Sequence, residues 1–117
     1  MSGALGHLAG LGAESAVERH YAEAGARLLA RRWRGAAGEI DLVVQLGDTL
    51  IFVEVKKSRS FARAAERLGE RQILRLMGAA QEYLGLAGLG LDTVMRFDVA
   101  LVDASGQIRV LENALSA

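Results

Sequence analysis

The sequence predicts a single α/β domain whose elements follow the order helix, three strands, helix and two strands. Three observations predict this class. The chain has 117 residues, which is long enough for one hydrophobic core and too short for two. Two strand-like runs flank Gly47-Asp48, a dipeptide typical of a hairpin turn; the first alternates apolar and polar residues and the second is apolar on both faces. Apolar residues also recur at helical spacing in segments 13–24 and 70–84.

The composition excludes several classes of protein. With 51% hydrophobic and 24% charged residues, the chain has the balance of a folded globular protein. It has no cysteine, which excludes a disulfide framework, a thiolate zinc site and a cysteine nucleophile. The net charge of zero argues against a protein that coats nucleic acid non-specifically. The first dozen residues lack the features of a signal peptide, so we expect a soluble cytoplasmic protein without a membrane partner. Residues 1–11 are rich in glycine and alanine, so we expect this N-terminal segment to be flexible.

The elements are predicted in chain order, beginning with a helix that Gly25 ends in the left-handed conformation. Strands are predicted at 27–34, 39–46 and 49–56, a short helical segment at 61–68, a longer helix at 70–84, and strands at 94–102 and 107–111. Strand 49–56 is apolar on both faces for most of its length, so it should be central, and the last strand should lie at an edge. Strict alternation in strand 39–46 divides its side chains between two faces, with Ile40, Leu42 and Val44 on one and Glu39, Asp41 and Val43 on the other.

The hairpin formed by residues 38–58, GEIDLVVQLGDTLIFVEVKKS, concentrates the chemistry of the sequence. If its strands pair about the Gly-Asp turn, Asp41 lies close to Glu54 and Val55, and Lys56 shares a face with Glu54. Two carboxylates this close repel each other unless a cation lies between them. Mg²⁺ prefers carboxylate oxygens, backbone carbonyls and water as ligands. The spacing therefore indicates a metal site held by the two acids.

Lys56 would lie beside such an ion rather than on it. There it could hold an attacking water and stabilise the charge that develops on a phosphate oxygen, which indicates phosphodiester hydrolysis. The same short pattern of acids and lysine also occurs where a strand merely ends in a salt-bridged sheet rim. The spacing alone leaves both interpretations open.

A basic segment follows the hairpin, with seven basic residues and two acids between Lys56 and Arg75. Its arginines recur at every fourth position and would form a ridge on a helix; they are Arg59, Arg63, Arg67, Arg71 and Arg75. Such a ridge could contact a nucleic-acid backbone, but it is equally typical of a solvated, salt-bridged face. Lys57 is a further candidate phosphate contact, although it should point to the face opposite Lys56.

Four short motifs in order, RWR, GEIDLV, FVEVK and RFDV, resemble those of the YraN family of small bacterial proteins, which are predicted endonucleases of the PD-(D/E)xK superfamily. The resemblance covers nearly the whole chain. It implies a restriction-endonuclease-like αβββαβ core with a central mixed sheet flanked by helices. It also implies that Asp41 and Glu54 bind the metal and that Lys56 is the catalytic lysine. Glu14 would be a further acid at the site that orients water or a second ion, and Gln72 resembles a polar position that lines the site.

These expectations describe a Mg²⁺- or Mn²⁺-dependent endonuclease acting on DNA, including branched or structured DNA such as Holliday junctions. The expected catalytic set is Asp41, Glu54, Lys56 and Glu14, and the expected nucleic-acid-binding set is Lys57, Arg59, Arg63, Arg67, Arg71, Gln72 and Arg75. A junction resolvase would act as a homodimer, for which the last strand could supply the interface. One alternative is a nucleic-acid-binding or assembly module that keeps the fold without turnover. Another is a structural partner protein that binds neither metal nor DNA.

Overall fold

The computed structural model describes residues 2–57, 59, 69–90 and 92–114. The elements in these ranges are α1 (Ser2–Glu23), β1 (Arg27–Arg34), β2 (Glu39–Leu46), β3 (Thr49–Lys57), α2 (Glu70–Leu86), β4 (Met95–Val102) and β5 (Ile108–Leu111). Their order is the predicted one, and each strand boundary lies within one residue of its prediction. The helical segment predicted at 61–68 lies outside the described residues. Within the described ranges, no helix is long and apolar enough to cross a membrane.

The strands form one sheet in the order β1-β2-β3-β4-β5. Neighbouring strands are antiparallel except β3 and β4, which run parallel. A parallel pair needs a long crossover connection, and α2 lies within that connection. Side chains of α1 pack on one face of the sheet and side chains of α2 on the other. The predicted α/β fold with a mixed sheet between helices is therefore confirmed, and it is consistent with a restriction-endonuclease-like core.

Strand β3 is the centre of the sheet and is buried on both faces. Ile51 and Val53 pack with α1, whereas Leu50 and Phe52 pack with α2. Burying an aliphatic or aromatic side chain of this size contributes roughly 1.5–3 kcal/mol, so this strand organises both halves of the core. The predicted central position of β3 and the predicted edge position of β5 are both confirmed.

Helix α1 begins at Ser2, whereas the sequence predicts a start at Ala13. The earlier residues include several glycines, each of which costs roughly 1 kcal/mol of helix propensity relative to alanine, so their composition conceals the helix. The predicted end is confirmed, because Gly25 has a φ of +94° and the N–H of Ala26 donates to the carbonyl of Tyr21 at 3.0 Å. The predicted flexibility of the N-terminus stays a prediction.

The alternation of side chains in β2 is interrupted near Asp41. Leu42 and Val44 pack toward α1, but Ile40 packs toward α2 together with Val43. The prediction that Ile40 shares a face with Leu42 and Val44 is therefore wrong. Strict alternation assumes a regular pleat, which this strand does not keep along its whole length.

The neighbouring strand β1 changes face at the same level. Arg32 has a φ of +48°, which is uncommon for a residue with a side chain, and it lies at the level of Asp41. As a result, two consecutive side chains reach the same helix. Arg31 donates to both carboxylate oxygens of Glu18, and Arg32 donates to Glu14 at 2.9 Å. The two acids lie one turn apart on α1, so the irregular strand fits the helical spacing.

A buried carboxylate joins α1 to strand β4 and to the residues that follow β5. Asp98 on β4 is 1% exposed and accepts a hydrogen bond from the hydroxyl of Tyr21 at 2.7 Å. Arg96 and the backbone N–H of Asn113 donate to the same carboxylate. Burial and the bond to Asp98 raise the pKa of Tyr21 well above its usual range, so its hydroxyl remains a donor.

Candidate active site

Asp41 lies where β2 separates from β3. The last paired residues of the two strands are Leu42 and Val53. Beyond them, the Oδ2 atom of Asp41 accepts the backbone N–H of Val55 at 2.8 Å, in the place of a ladder hydrogen bond. The side chain is therefore held beside the end of β3, near Glu54 and Val55 as counting from the hairpin turn predicts.

Glu54 is the second acid of the site and is only 8% exposed. Its Oε1 atom accepts a hydrogen bond from Nε2 of Gln72 on α2 at 2.8 Å. The Nζ atom of Lys56 lies 3.4 Å from the same oxygen. A helix side chain and a strand side chain thus fix the orientation of this carboxylate, and the second oxygen is not used in these contacts.

Both carboxyl groups of the site are harder to ionise than they would be in water. Burial and then the charge of Asp41 raise the pKa of Glu54 to about 7, against a smaller lowering by Lys56. Burial also raises the pKa of Asp41, and the charges of Glu14 and Glu39 add to this. The N–H of Val55 and the hydrogen bond with Glu54 lower the pKa of Asp41 by a smaller amount. A positive charge between the acids would favour their ionised forms.

The pair fits a hard divalent cation of the Mg²⁺ type. Such an ion is commonly held by one or two carboxylates, with waters and substrate oxygens completing its shell. Asp41 and Glu54 supply two carboxylates whose raised pKa values a cation would offset. In the part of the chain that the structure describes, no group of three or more His, Cys, Asp or Glu side chains could hold a metal ion. Asp41 and Glu54 alone would leave most positions of such an ion's shell to water and substrate oxygens.

A cleft of about 590 Å³ opens over the two acids, between β2 and the first turns of α2. It is lined by Gly38, Glu39, Asp41, Glu54, Gly69, Arg71, Gln72, Arg75 and Leu76. Its walls combine carboxylates on the sheet side with two exposed arginines on the helix side. Of the predicted nucleic-acid contacts, Arg71, Gln72 and Arg75 line this cleft.

Glu14 lies close enough to Asp41 to raise its pKa, but it is already paired. Its Oε2 atom accepts a hydrogen bond from Nε of Arg32 at 2.9 Å. The helix α1 therefore does place this acid near the site, as the resemblance implies. Its predicted role with water or a second ion stays a prediction.

The remaining predicted contacts lie elsewhere. Lys57 lines a separate cleft of about 190 Å³, together with Ala13 and Ala16 of α1, so it is on the opposite side of the sheet from α2. Arg59 is exposed just beyond β3. The positions of Arg63 and Arg67 fall outside the described residues.

Two features near the site were missed at the level of sequence. Arg32 belongs to the RWR motif, but nothing in an arginine indicates a positive φ or an ion pair with Glu14. The contact between Glu82 on α2 and the loop before β2 was not predicted either, because it joins residues 45 and 46 positions apart. Glu82 is only partly buried, and its partners Ala36 and Ala37 come close to it only in the folded chain.

The fold and the cleft define the class to which this protein belongs. It is a small α/β protein with a mixed sheet, in which two carboxylates and a lysine converge at the end of a central strand. The chain belongs to the uncharacterised protein family UPF0102, whose model matches residues 13–102. It is similar to a UPF0102 protein of Cereibacter sphaeroides (strain ATCC 17025), with 56% identity over 117 residues and 100% of both chains covered. It is also similar to UPF0102 proteins of Ruegeria pomeroyi, at 55% over 112 residues (96% of this chain, 91% of the relative), and of Roseobacter denitrificans, at 50% over 115 residues (98% and 89%). The YraN-like family resemblance is thereby confirmed, and because these names state no activity, the nuclease function stays a prediction.

Proposed function

We propose that this chain is a Mg²⁺- or Mn²⁺-dependent endonuclease that hydrolyses phosphodiester bonds in DNA. The observation that carries this proposal is that Asp41 and Glu54 line one cleft while the ammonium of Lys56 lies next to Glu54. Two buried acids without a cation would be a cost to the fold, as their raised pKa values indicate. A hydrolytic metal site gives this arrangement a chemical use.

The acids would hold the ion in place of the hydrogen bond that they share with each other. The Oδ2 atom of Asp41 is engaged by Val55, and the Oε1 atom of Glu54 is engaged by Gln72. When bound, a divalent cation would polarise the phosphate and lower the pKa of an attacking water. The hydrogen bonds from Val55 and Gln72 keep both carboxylates in place before substrate arrives, which is the role of outer-shell partners in metal sites.

Lys56 would act on the reacting atoms. Its ammonium is partly buried, with 18% of the side chain exposed, and lies 3.4 Å from Glu54. At that position, it can donate to a water or to a phosphate oxygen while remaining next to the acids. A compact ammonium suits this task better than a planar guanidinium, which makes wide bidentate contacts.

The helix side of the cleft would hold the DNA backbone. Arg71 and Arg75 are exposed on the first turns of α2 and face the same cleft as the acids. Arginine binds phosphate through parallel N–H groups, and such contacts position a nucleic acid without reading its sequence. A local basic wall of this kind is compatible with a net charge of zero.

Cleavage assays with matched variants test the proposal. Duplex, single-stranded, flapped and four-way-junction DNA are incubated with Mn²⁺ and with the wild type, Asp41→Ala or Lys56→Ala. The expected result is cleavage by the wild type that EDTA abolishes and that both variants lack. Equal trace cleavage by all three proteins would refute the catalytic role. DNA binding that persists in EDTA without any cleavage would favour the non-catalytic binding module instead.

A further inference from the structure

The loop between β1 and β2, formed by residues 35–38, is fastened to α2 by one carboxylate. Glu82 accepts the backbone N–H of Ala36 at 2.8 Å and also that of Ala37. The loop closes on itself through the N–H of Gly35, which donates to the carbonyl of Gly38 at 2.9 Å. Hydrogen bonds from two successive backbone N–H groups to one ionised carboxylate are charge-assisted and stronger than neutral ones.

The loop also lies against the surface of α2 without room for additional atoms. A Cβ atom at Gly78 would lie 2.9 Å from the Cβ of Ala37, and one at Gly38 would lie 3.3 Å from the Cβ of Arg75. Arg75, Gly78 and Glu82 lie three and four residues apart, so they share one face of the helix. Three successive points on that face therefore hold the loop in one position.

This loop leads directly into the strand that carries Asp41. Gly38 ends the loop, and Asp41 follows three residues later on β2. On the helix, Gln72 lies one turn before Arg75 and donates to Glu54. The same helix thus contacts Glu54 directly and reaches Asp41 through the loop.

We propose that Glu82 is a positioning residue whose hydrogen bonds to the loop set the position of Asp41 relative to Glu54. It touches neither acid, nor the cleft, so it acts only through the backbone of residues 36–41. The inference rests on the proposed nuclease function for its effect on the cation, but the coupling between loop and Asp41 can be measured without activity. A merely structural role would lower stability and leave the geometry of the acids unchanged.

Glu82→Gln is the first test, because it keeps the shape of the side chain and removes one of the two acceptor oxygens. Gln81→Ala, an exposed neighbour on the same helix, is the matched control. Backbone amide spectra report the loop through Ala36 and Ala37, and they report Asp41 through the N–H of Val55 that it accepts. For Glu82→Gln we expect faster amide exchange in the loop and a shifted Val55 resonance. The Mn²⁺ concentration for half-maximal cleavage should rise by up to about tenfold, which is the lower end of what loss of a direct partner of a metal ligand costs.

Gly78→Ala is the second test and keeps the proposal falsifiable if Glu82→Gln folds poorly. Alanine raises helix propensity at this position, so α2 is retained, while the new Cβ forces the loop to move away from the helix. The same shift of the Val55 resonance is expected. If loop exchange accelerates in both variants but the Val55 resonance and the Mn²⁺ requirement equal those of Gln81→Ala, the positioning role is overturned. If the wild type shows no Asp41-dependent cleavage, the nuclease proposal fails, and the Val55 resonance still decides the positioning role.

Discussion

Ionisation of Glu54 should make the folded chain less stable as the pH rises toward neutrality. Burial and the charge of Asp41 raise the pKa of Glu54 from 4.5 to about 7. Between these values the folded chain retains the proton, whereas the unfolded chain releases it. The free energy of unfolding should therefore be highest below about pH 4.5 and fall by up to ~3 kcal/mol as the pH rises through 7, in the absence of a divalent cation. That is a large share of the 5–15 kcal/mol that is typical of a domain.

Chemical denaturation in EDTA from about pH 5 to about pH 8 measures this effect. The informative quantity is the difference between the wild type and Glu54→Gln, which reports Glu54 together with its effect on Asp41, since the remaining titrating groups are common to both. Glu18→Gln is the control, because the pKa of Glu18 is lowered by its hydrogen bonds from Arg31 and lies below this pH range. A saturating concentration of Mn²⁺, about 100 times its dissociation constant, should restore about 2.7 kcal/mol to the wild type at the upper end of the range.

Two outcomes would contradict this reasoning. A constant difference between wild type and Glu54→Gln across the whole pH range would show that the pKa of Glu54 is not raised. Equal stabilisation of both proteins by Mn²⁺ would show that Glu54 is not a ligand. The first outcome concerns the electrostatics of the fold, and the second concerns the proposed metal site, so the two can fail separately.

Three further perturbations follow from the contacts of the site and the core. Asp41→Ala should lower Mn²⁺-dependent cleavage by more than about 100-fold, since even outer-shell partners cost 10–100-fold; cleavage within a few fold of the wild type would contradict this. Tyr21→Phe removes one donor from the buried carboxylate of Asp98 and should lower the free energy of unfolding by about 1–3 kcal/mol, measured by denaturation; no measurable change would argue that the bond contributes little. Arg71→Ala and Arg75→Ala should each reduce the slope of log affinity against log salt by about one, measured by fluorescence anisotropy on unrelated DNA sequences, and an unchanged slope would exclude a phosphate contact.

The parts of the fold that follow from local rules could be predicted from the sequence. Strand β2 is marked by alternation, β3 by its apolar run, and both by the turn at Gly47, which has a φ of +62°. Because the turn fixes the register, counting from it places Asp41 beside Val55 without knowledge of the rest of the chain. The central position of β3 follows from its two apolar faces.

The parts that depend on a local irregularity or on distant partners could not be predicted. Ile40 lies on the face opposite to its prediction because the alternation breaks at the level of Arg32. An arginine has no preference for a positive φ, so the sequence does not indicate the irregular backbone at Arg32. The contact of Glu82 with the loop and that of Tyr21 with Asp98 join segments that lie 45 and 77 positions apart at their nearest. Such pairings depend on the assembled fold rather than on spacing.

Asp41 both stabilises the fold and supplies a candidate metal ligand, because it lies where the hydrogen bonds between β2 and β3 end. Where β2 leaves β3, the N–H of Val55 loses its strand partner, and a buried donor without an acceptor is costly. Asp41 supplies that acceptor with one oxygen, as Glu54 does for Gln72. A cation that binds the other oxygens would leave these two bonds in place and would replace the hydrogen bond that the acids share with each other. Removing the Asp41 carboxylate therefore removes a candidate metal ligand and also leaves the N–H of Val55 without this acceptor. Asp41→Asn, which keeps an acceptor for Val55 while losing the charge, is therefore the variant that separates the two roles.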